Sequence, residues 1–276
     1  MRVVGEEQYP ALIIEFCLTI QCVYRLPLRQ TVGFIEDLLA LMGYADLPVP
    51  DYSTLSRRQG SLEVQVSNSM HGDDVVGIAI DSTGLKFYGE GEWKVRQHGF
   101  SKHRMWKKMH ITINIKTQEI LSVRLTSNAI DDVQAALPMI EEIRGQVGRI
   151  ESSHNDGAYD KFDYRKALGA AVTQVIPPPK NAVMQVGTEK KPVPDYLDQR
   201  NEAVKYLQDH ERAEWKEMVN YHLRSLNEVV MFRYKITFDS ALHARNDDNQ
   251  ETEVELKCKI LNVFRKLGMP VSRKVA

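Results

Sequence analysis

Six consecutive apolar residues, Val75-Val76-Gly77-Ile78-Ala79-Ile80, run without alternation into Asp81. A strand with one wet face would alternate, so this run predicts a strand buried on both faces. Further strands are predicted at 85–88, 110–115 and 120–125. The last two are joined through the turn-like Lys116-Thr117-Gln118-Glu119, which makes a meander. An amphipathic helix at 133–143 follows, then a strand at 150–154 entering Asn155-Asp156-Gly157. A short helix at 162–168 leads to a strand at 172–176 that three prolines stop. Residues 177–195, rich in proline and lysine, read as an exposed loop. Helices return at 200–220, 221–235 and 253–267. The expected class is α/β, with no internal repeat.

Before the strands, residues 10–43 read as helical. Leu12, Phe16 and Ile20 form one stripe, and Val32, Ile35, Leu38, Leu39 and Met42 form a second that closes at Gly43. After Leu47-Pro48-Val49-Pro50, Asp51 or Ser53 can cap a short helix at 54–58 ending in Arg57-Arg58. This segment is either a helix-turn-helix, with Arg57 and Arg58 toward a phosphate backbone, or an ordinary helical hairpin with a solvated basic end. The expected division is a small helical region, 1–70, and a larger domain, 71–276.

Charge is uninformative as a total: 36 basic residues nearly cancel 37 acidic ones. Cys17, Cys22 and Cys258 are odd in number and lack a C-x-x-C pair, so reduced thiols are expected rather than a disulfide framework or a zinc site. The apolar stretch 11–24 is broken by Glu15 and Gln21, is too short to span a bilayer and lacks the marks of a signal peptide. A cytoplasmic protein without membrane association is expected.

The segment 221–235 holds the most pointed arrangement. At about 100° per helical residue, Tyr221, Arg224, Glu228 and Lys235 fall within a sector of roughly 60°. Leu223, Leu226, Val230 and Tyr234 form the opposite, apolar face. If that face packs across the sheet edge where Asp81 and Asp156 end their strands, Glu228 joins two carboxylates. Three convergent carboxylates repel one another unless a cation is present, and hard oxygen ligands favour magnesium or manganese. Two such ions can activate a water or a 3′-hydroxyl and stabilise the oxygen leaving a phosphodiester. Arg224 and Lys235 would hold DNA phosphates, and Tyr221 would bond a phosphate or stack on a base.

Each acid also has a plainer reading: Asp81 and Asp156 as turn formers, and Glu228 as a solvated residue paired with Arg224 at i,i+4. Their conjunction favours the site. So does the segment 92–110, where Lys94, Arg96, His98, Lys102, His103, Arg104, Lys107, Lys108 and His110 are interleaved with Trp93 and Trp106. This reads as a nucleic-acid track with stacking platforms, or else as a solvated basic loop.

These residues resemble the DDE transposases of bacterial insertion sequences, in the group whose acidic helix carries Tyr-x2-Arg-x3-Glu-x6-Lys. Ile80-Asp81-Ser82-Thr83-Gly84 looks like the family's first motif, and Asn155-Asp156-Gly157-Ala158-Tyr159-Asp160 resembles its second. Gly89-Glu90-Gly91-Glu92-Trp93, Gln97-His98-Gly99 and Ile176-Pro177-Pro178-Pro179-Lys180-Asn181-Ala182 are similar to the IS-five-like branch. Residues 24–30 and 53–58 also look like that branch. Asn155 and Asn227 depart from the family, whose relatives often carry alanine and valine there. The resemblance implies an RNase H-like mixed sheet flanked by helices, with Asp81, Asp156 and Glu228 as ligands for two magnesium ions that manganese can replace. It also implies strand cleavage and strand transfer at terminal inverted repeats of double-stranded DNA by a homodimer or larger assembly. Relatives carry additional residues before the first helical segment, so an abbreviated DNA-recognition region is expected. The competing expectation is a DNA-binding remnant that represses without catalysis.

Overall fold

The run that begins at Val75 does form the central strand of a sheet, and the strand is longer than its apolar part. The computed structural model describes residues 9–67, 74–87 and 106–267. Its sheet comprises β1 (Val75–Phe87), β2 (Trp106–Asn114), β3 (Ile120–Ser127), β4 (Arg149–His154), β5 (Thr173–Val175) and the short β6 (Ala241–Leu242). The order is β3-β2-β1-β4-β5, with β6 pairing the end of β1. β2 and β3 are antiparallel, whereas β4 runs parallel to β1 and β5 parallel to β4. A meander continued by parallel strands, with helices on its flanks, is the RNase H-like mixed sheet expected from the resemblance.

The expected strand break at Asp81 is absent. β1 continues through Asp81-Ser82-Thr83-Gly84 and absorbs the separate strand expected at 85–88. These four residues have strong turn chemistry in isolation, but neighbouring strands supply ladder partners that outweigh local preference. β2 likewise starts early, at Trp106, so residues 106–110 belong to a strand rather than a link.

The chain divides into two compact units. The first comprises Val66–Leu85 and Trp106–Arg233. Its core sets Val76, Ile78 and Ile80 of β1 against α4 (Asp132–Gln146), which contributes Val133, Ala136, Ile140 and Ile143. Asp131 caps α4 by accepting from the Val133 amide at 3.0 Å. Period-two alternation therefore turns the even residues of β1 toward α4 and the odd ones, Asp81 among them, to the other face. Gly77 lies at a register shift between β1 and β4, where an added Cβ would sit 2.6 Å from Ile115 and 2.7 Å from Ser152. After α5 (Phe162–Leu168), the helix expected at 200–220 is two, α6 (Asp198–Asp209) and α7 (Arg212–Met218).

The second unit holds the described parts of Met1–Gln65, Lys86–Met105 and Tyr234–Ala276. Here α1 (Ala11–Tyr24) packs on α2 (Leu28–Leu41), α3 (Tyr52–Gln59) and α9 (Asp247–Leu267). The first stripe is corrected: Leu12 and Phe16 are exposed, and Ile14, Cys17, Leu18 and Cys22 are buried instead, because α9 and α3 cover that face. Asp51 caps α3, accepting from the Ser53 amide at 2.9 Å. A single cut near residue 70 does not describe this arrangement, since α9 and β6 join the N-terminal helices. All three cysteines are buried and free. No single helix among the described residues is long and apolar enough to cross a membrane; α1 and α2 reach that composition only together and turn by 106° between them.

Candidate active site

Register places the first two acids. β1 and β4 pair in parallel with Ala79 opposite His154, so two residues further on Asp81 comes level with Asp156. Asp81 lies within β1, and its carboxylate accepts from the Ser82 amide at 2.8 Å. Asp156 follows the end of β4 and caps a 3-10 turn, Gly157–Tyr159, accepting from the Ala158 amide at 2.9 Å. Gly157 packs close to the Pro177 carbonyl: an added Cβ would lie 3.2 Å from it, a tight contact that a small shift would have to relieve.

The third acid arrives on a helix that is not continuous from Tyr221. Tyr221–Arg224 form a 3-10 turn, and α8 (Ser225–Phe238) begins only afterwards. Asn227, fully buried, donates through Nδ2 to the Ala79 and Ile111 carbonyls, each at 2.9 Å, and seats the first turn of α8 over β1 and β2. Glu228 follows directly. Arg224 donates to Glu228 Oε1 at 2.5 Å and reaches Asp81 Oδ2 at 3.5 Å, so one guanidinium joins acids from strand and helix. Tyr221 lies beneath it, with the Arg224 guanidinium carbon 5.8 Å and Lys216 Nζ 5.0 Å from its ring centroid.

Electrostatics follow from this crowding. Burial pushes the Asp81 carboxyl up to about 6; Asp156 and Glu228 add to the rise, while the Ser82 amide and Arg224 oppose it. Arg224 is raised, because Tyr221, Glu228 and Asp81 together outweigh the effect of its burial. Burial also raises the Tyr221 phenol. Among the described residues no three His, Cys, Asp or Glu side chains are gathered closely enough to hold a metal ion. Arg224 bonds the Asp81 and Glu228 oxygens that a cation would use. The donor set itself fits a hard divalent cation: carboxylate oxygens only, with burial, and after it two other acids, making Asp81 reluctant to ionise.

Sequence reasoning missed the residues that hold these acids. Asn155, fully buried, donates to the Ile80 carbonyl at 3.0 Å and accepts from Ser153 Oγ at 2.6 Å and the Tyr164 hydroxyl at 3.1 Å. Asp160 accepts from Arg165 Nε at 2.7 Å and Arg200 Nε at 3.1 Å, forming a buried network behind the Asp156 turn. Arg165 reaches on to the Ile176 carbonyl at 3.1 Å. Spacing alone carried no signal for these contacts. On the α4 side of the sheet, Asp132 Oδ1 accepts from Ser82 Oγ and Lys108 Nζ, both at 3.1 Å, with His110 Nδ1 at 3.8 Å.

The remaining expected contacts are scattered. Lys235 lies further along α8 and is half-buried; Trp106 and Lys107 are half-buried at the start of β2. Arg57 is exposed and donates to Thr54 Oγ1 at 3.3 Å. Arg58 is half-buried, and its guanidinium is bonded to the Tyr9 carbonyl. Lys94, Arg96, His98, Lys102 and Arg104 lie outside the described residues.

A family model described as a transposase DDE domain matches residues 74–263, and a second with the same description matches residues 4–90. The chain belongs to the DDE transposases. Members of this family use divalent metal ions, in keeping with the all-carboxylate donor set. Among solved structures, this chain is similar to the Drosophila P element transposase strand transfer complex, at 10% identity and a TM-score of 0.35. The match covers 98% of this chain, which spans 62% of the length of the P element chain. It is also similar to a simian T-cell lymphotropic virus intasome in complex with a PP2A regulatory subunit, B56 gamma. That match has 12% identity and a TM-score of 0.28, covering 82% of this chain and 74% of the other. Likenesses at this level add nothing to the family match.

Proposed function

We propose that this transposase cleaves DNA at the terminal inverted repeats of an insertion sequence of the IS-five-like branch and joins the exposed 3′-hydroxyl to target DNA. The observation that carries the reading is that Arg224 joins Asp81 of β1 to Glu228 of α8, while Asp156 follows the end of the parallel neighbour strand β4 and acts electrostatically on Asp81. Asp81, Asp156 and Glu228 supply the oxygens for two magnesium ions, with manganese as a substitute. When bound, such ions activate the attacking hydroxyl and stabilise the departing oxygen. Arg224 has a planar fork suited to a bidentate phosphate contact. Tyr221 offers its hydroxyl to a phosphate or its ring to an unpaired base, and Lys235, further along α8, adds charge for the backbone. Double-stranded DNA is the partner, and bringing two ends together calls for a homodimer or larger assembly acting in the cytoplasm.

Purified protein, a duplex carrying one inverted repeat and magnesium provide the test. The parent should nick and join, and Asp81→Asn and Glu228→Gln should fall to background. Nicking by either variant at the parent's rate would sink the assignment. Salt-sensitive binding by the parent without metal-dependent cleavage would identify a non-catalytic DNA-binding protein instead.

A further inference from the structure

The geometry points to two buried asparagines, Asn155 and Asn227, as positioning residues that set the spacing of the three carboxylates; this rests on the metal-site reading above. Each asparagine immediately precedes an acid, Asp156 in one case and Glu228 in the other. Each sends its amide nitrogen to β1, and the acceptors are consecutive carbonyls, Ile80 for Asn155 and Ala79 for Asn227. The next residue is Asp81. All three acids are thus tied, through two amide groups, to three successive residues of one strand.

Strand geometry explains why two clamps are used. Adjacent carbonyls of a strand point toward opposite edges, so one clamp approaches from the β4 side and the other from the β2 side. β4 ends at His154, and the Asn155 side chain serves the Ile80 carbonyl just past that end. Asn227 also takes the Ile111 carbonyl of β2, so its amide bridges two strands. The role requires a donor and not polarity in general. Both acceptors are carbonyls, and Asn227 Oδ1 has no hydrogen-bond partner among the described residues. Asn155 is oriented more tightly, because Ser153 and Tyr164 both donate to its oxygen. Both side chains are 0% exposed, and they act through the acids beside them.

The test is manganese binding to metal-free protein, read from the electron paramagnetic resonance signal of free Mn²⁺, at a temperature where each variant is folded. Asn155→Ala and Asn227→Val keep all three carboxylates. Each should weaken Mn²⁺ affinity by about 10- to 100-fold, the usual effect of losing a group that orients metal ligands. The metal concentration giving half-maximal nicking should rise by the same factor. A purely structural role would lower the melting temperature and leave the affinity of the folded protein unchanged. If Asn227→Val does not fold, Asn227→Ser and Asn155→Ala carry the same measurement. Folded variants that bind Mn²⁺ as tightly as the parent, while Asp81→Asn does not bind it, would overturn the asparagine roles alone. Parent-like Mn²⁺ binding by Asp81→Asn would instead overturn the metal site.

Discussion

Asp81 and Ser82 are neighbours on β1, yet they look to opposite faces of the sheet and meet opposite charge balances. On the α4 face Ser82 bonds Asp132, whose carboxylate is also paired with Lys108, and the adjacent His110 is held neutral. One acid there meets one cation. On the other face Asp81 is grouped with Asp156 and Glu228, and Arg224 is the cation bonded to Asp81 and Glu228. Both clusters contain carboxylates and hydrogen bonds, so residue types alone do not separate a structural cluster from a reactive one. Balance does. A neutral group has nothing to gain from a divalent ion, whereas an acid-rich one has repulsion to relieve.

The strongest way to break this comparison is metal-linked stability. Magnesium at a hundred times its dissociation constant should stabilise the parent by about 2.7 kcal/mol in a thermal melt. Asp81→Asn should abolish that gain and Asp132→Asn should keep it; equal loss in both would erase the distinction between the faces. Acid titration probes the α4 face next. Burial lowers His110 to about 4, with Asp132 opposing and Lys108 assisting. The unfolded chain therefore takes up a proton that the folded one refuses. Stability from this group is present above about pH 6.5 and is lost as pH falls toward 4, by up to about 1.4 kcal/mol for each pH unit. His110→Gln should remove that slope in denaturant titrations run across this range. The smallest effect belongs to Asp132→Ala, which breaks a partly exposed pair and should cost less than about 1 kcal/mol. Nicking should stay within a few-fold of the parent, and a collapse of nicking would draw the α4 face into the chemistry.

Much of the sheet was readable in advance because burial leaves a mark on composition. The run to Ile80 has no polar interruption, 162–168 emerged as the helix expected, and Asn155-Asp156-Gly157 lies at a strand end as its turn chemistry suggested. Asp81-Ser82-Thr83-Gly84 misled for the same reason: it has turn chemistry, but strand pairing overrode it. The segment 221–235 kept its residues and lost its regularity, since Asn220 adopts a left-handed conformation and a 3-10 turn precedes α8. That irregularity leaves Tyr221 and Arg224 off the continuous helix on which their angular spacing was reckoned. The buried arginines at 165 and 200 were invisible, because their value depends on Asp160 being brought between them.

By itself the sequence determined which side chains are available: three acids, a Tyr-Arg-Glu-Lys spacing, and a strand too apolar to lie anywhere but the core. Local periodicity is enough for that, since each signal spans a few residues. Tertiary structure alone decided that Asp81 stands level with Asp156, that Arg224 joins Asp81 to Glu228, and that Asn155 and Asn227 grip consecutive carbonyls of β1. Those contacts link residues some 75 to 148 positions apart. Only parallel pairing, and a helix docked through a buried amide, brings such distant residues to hydrogen-bonding distance.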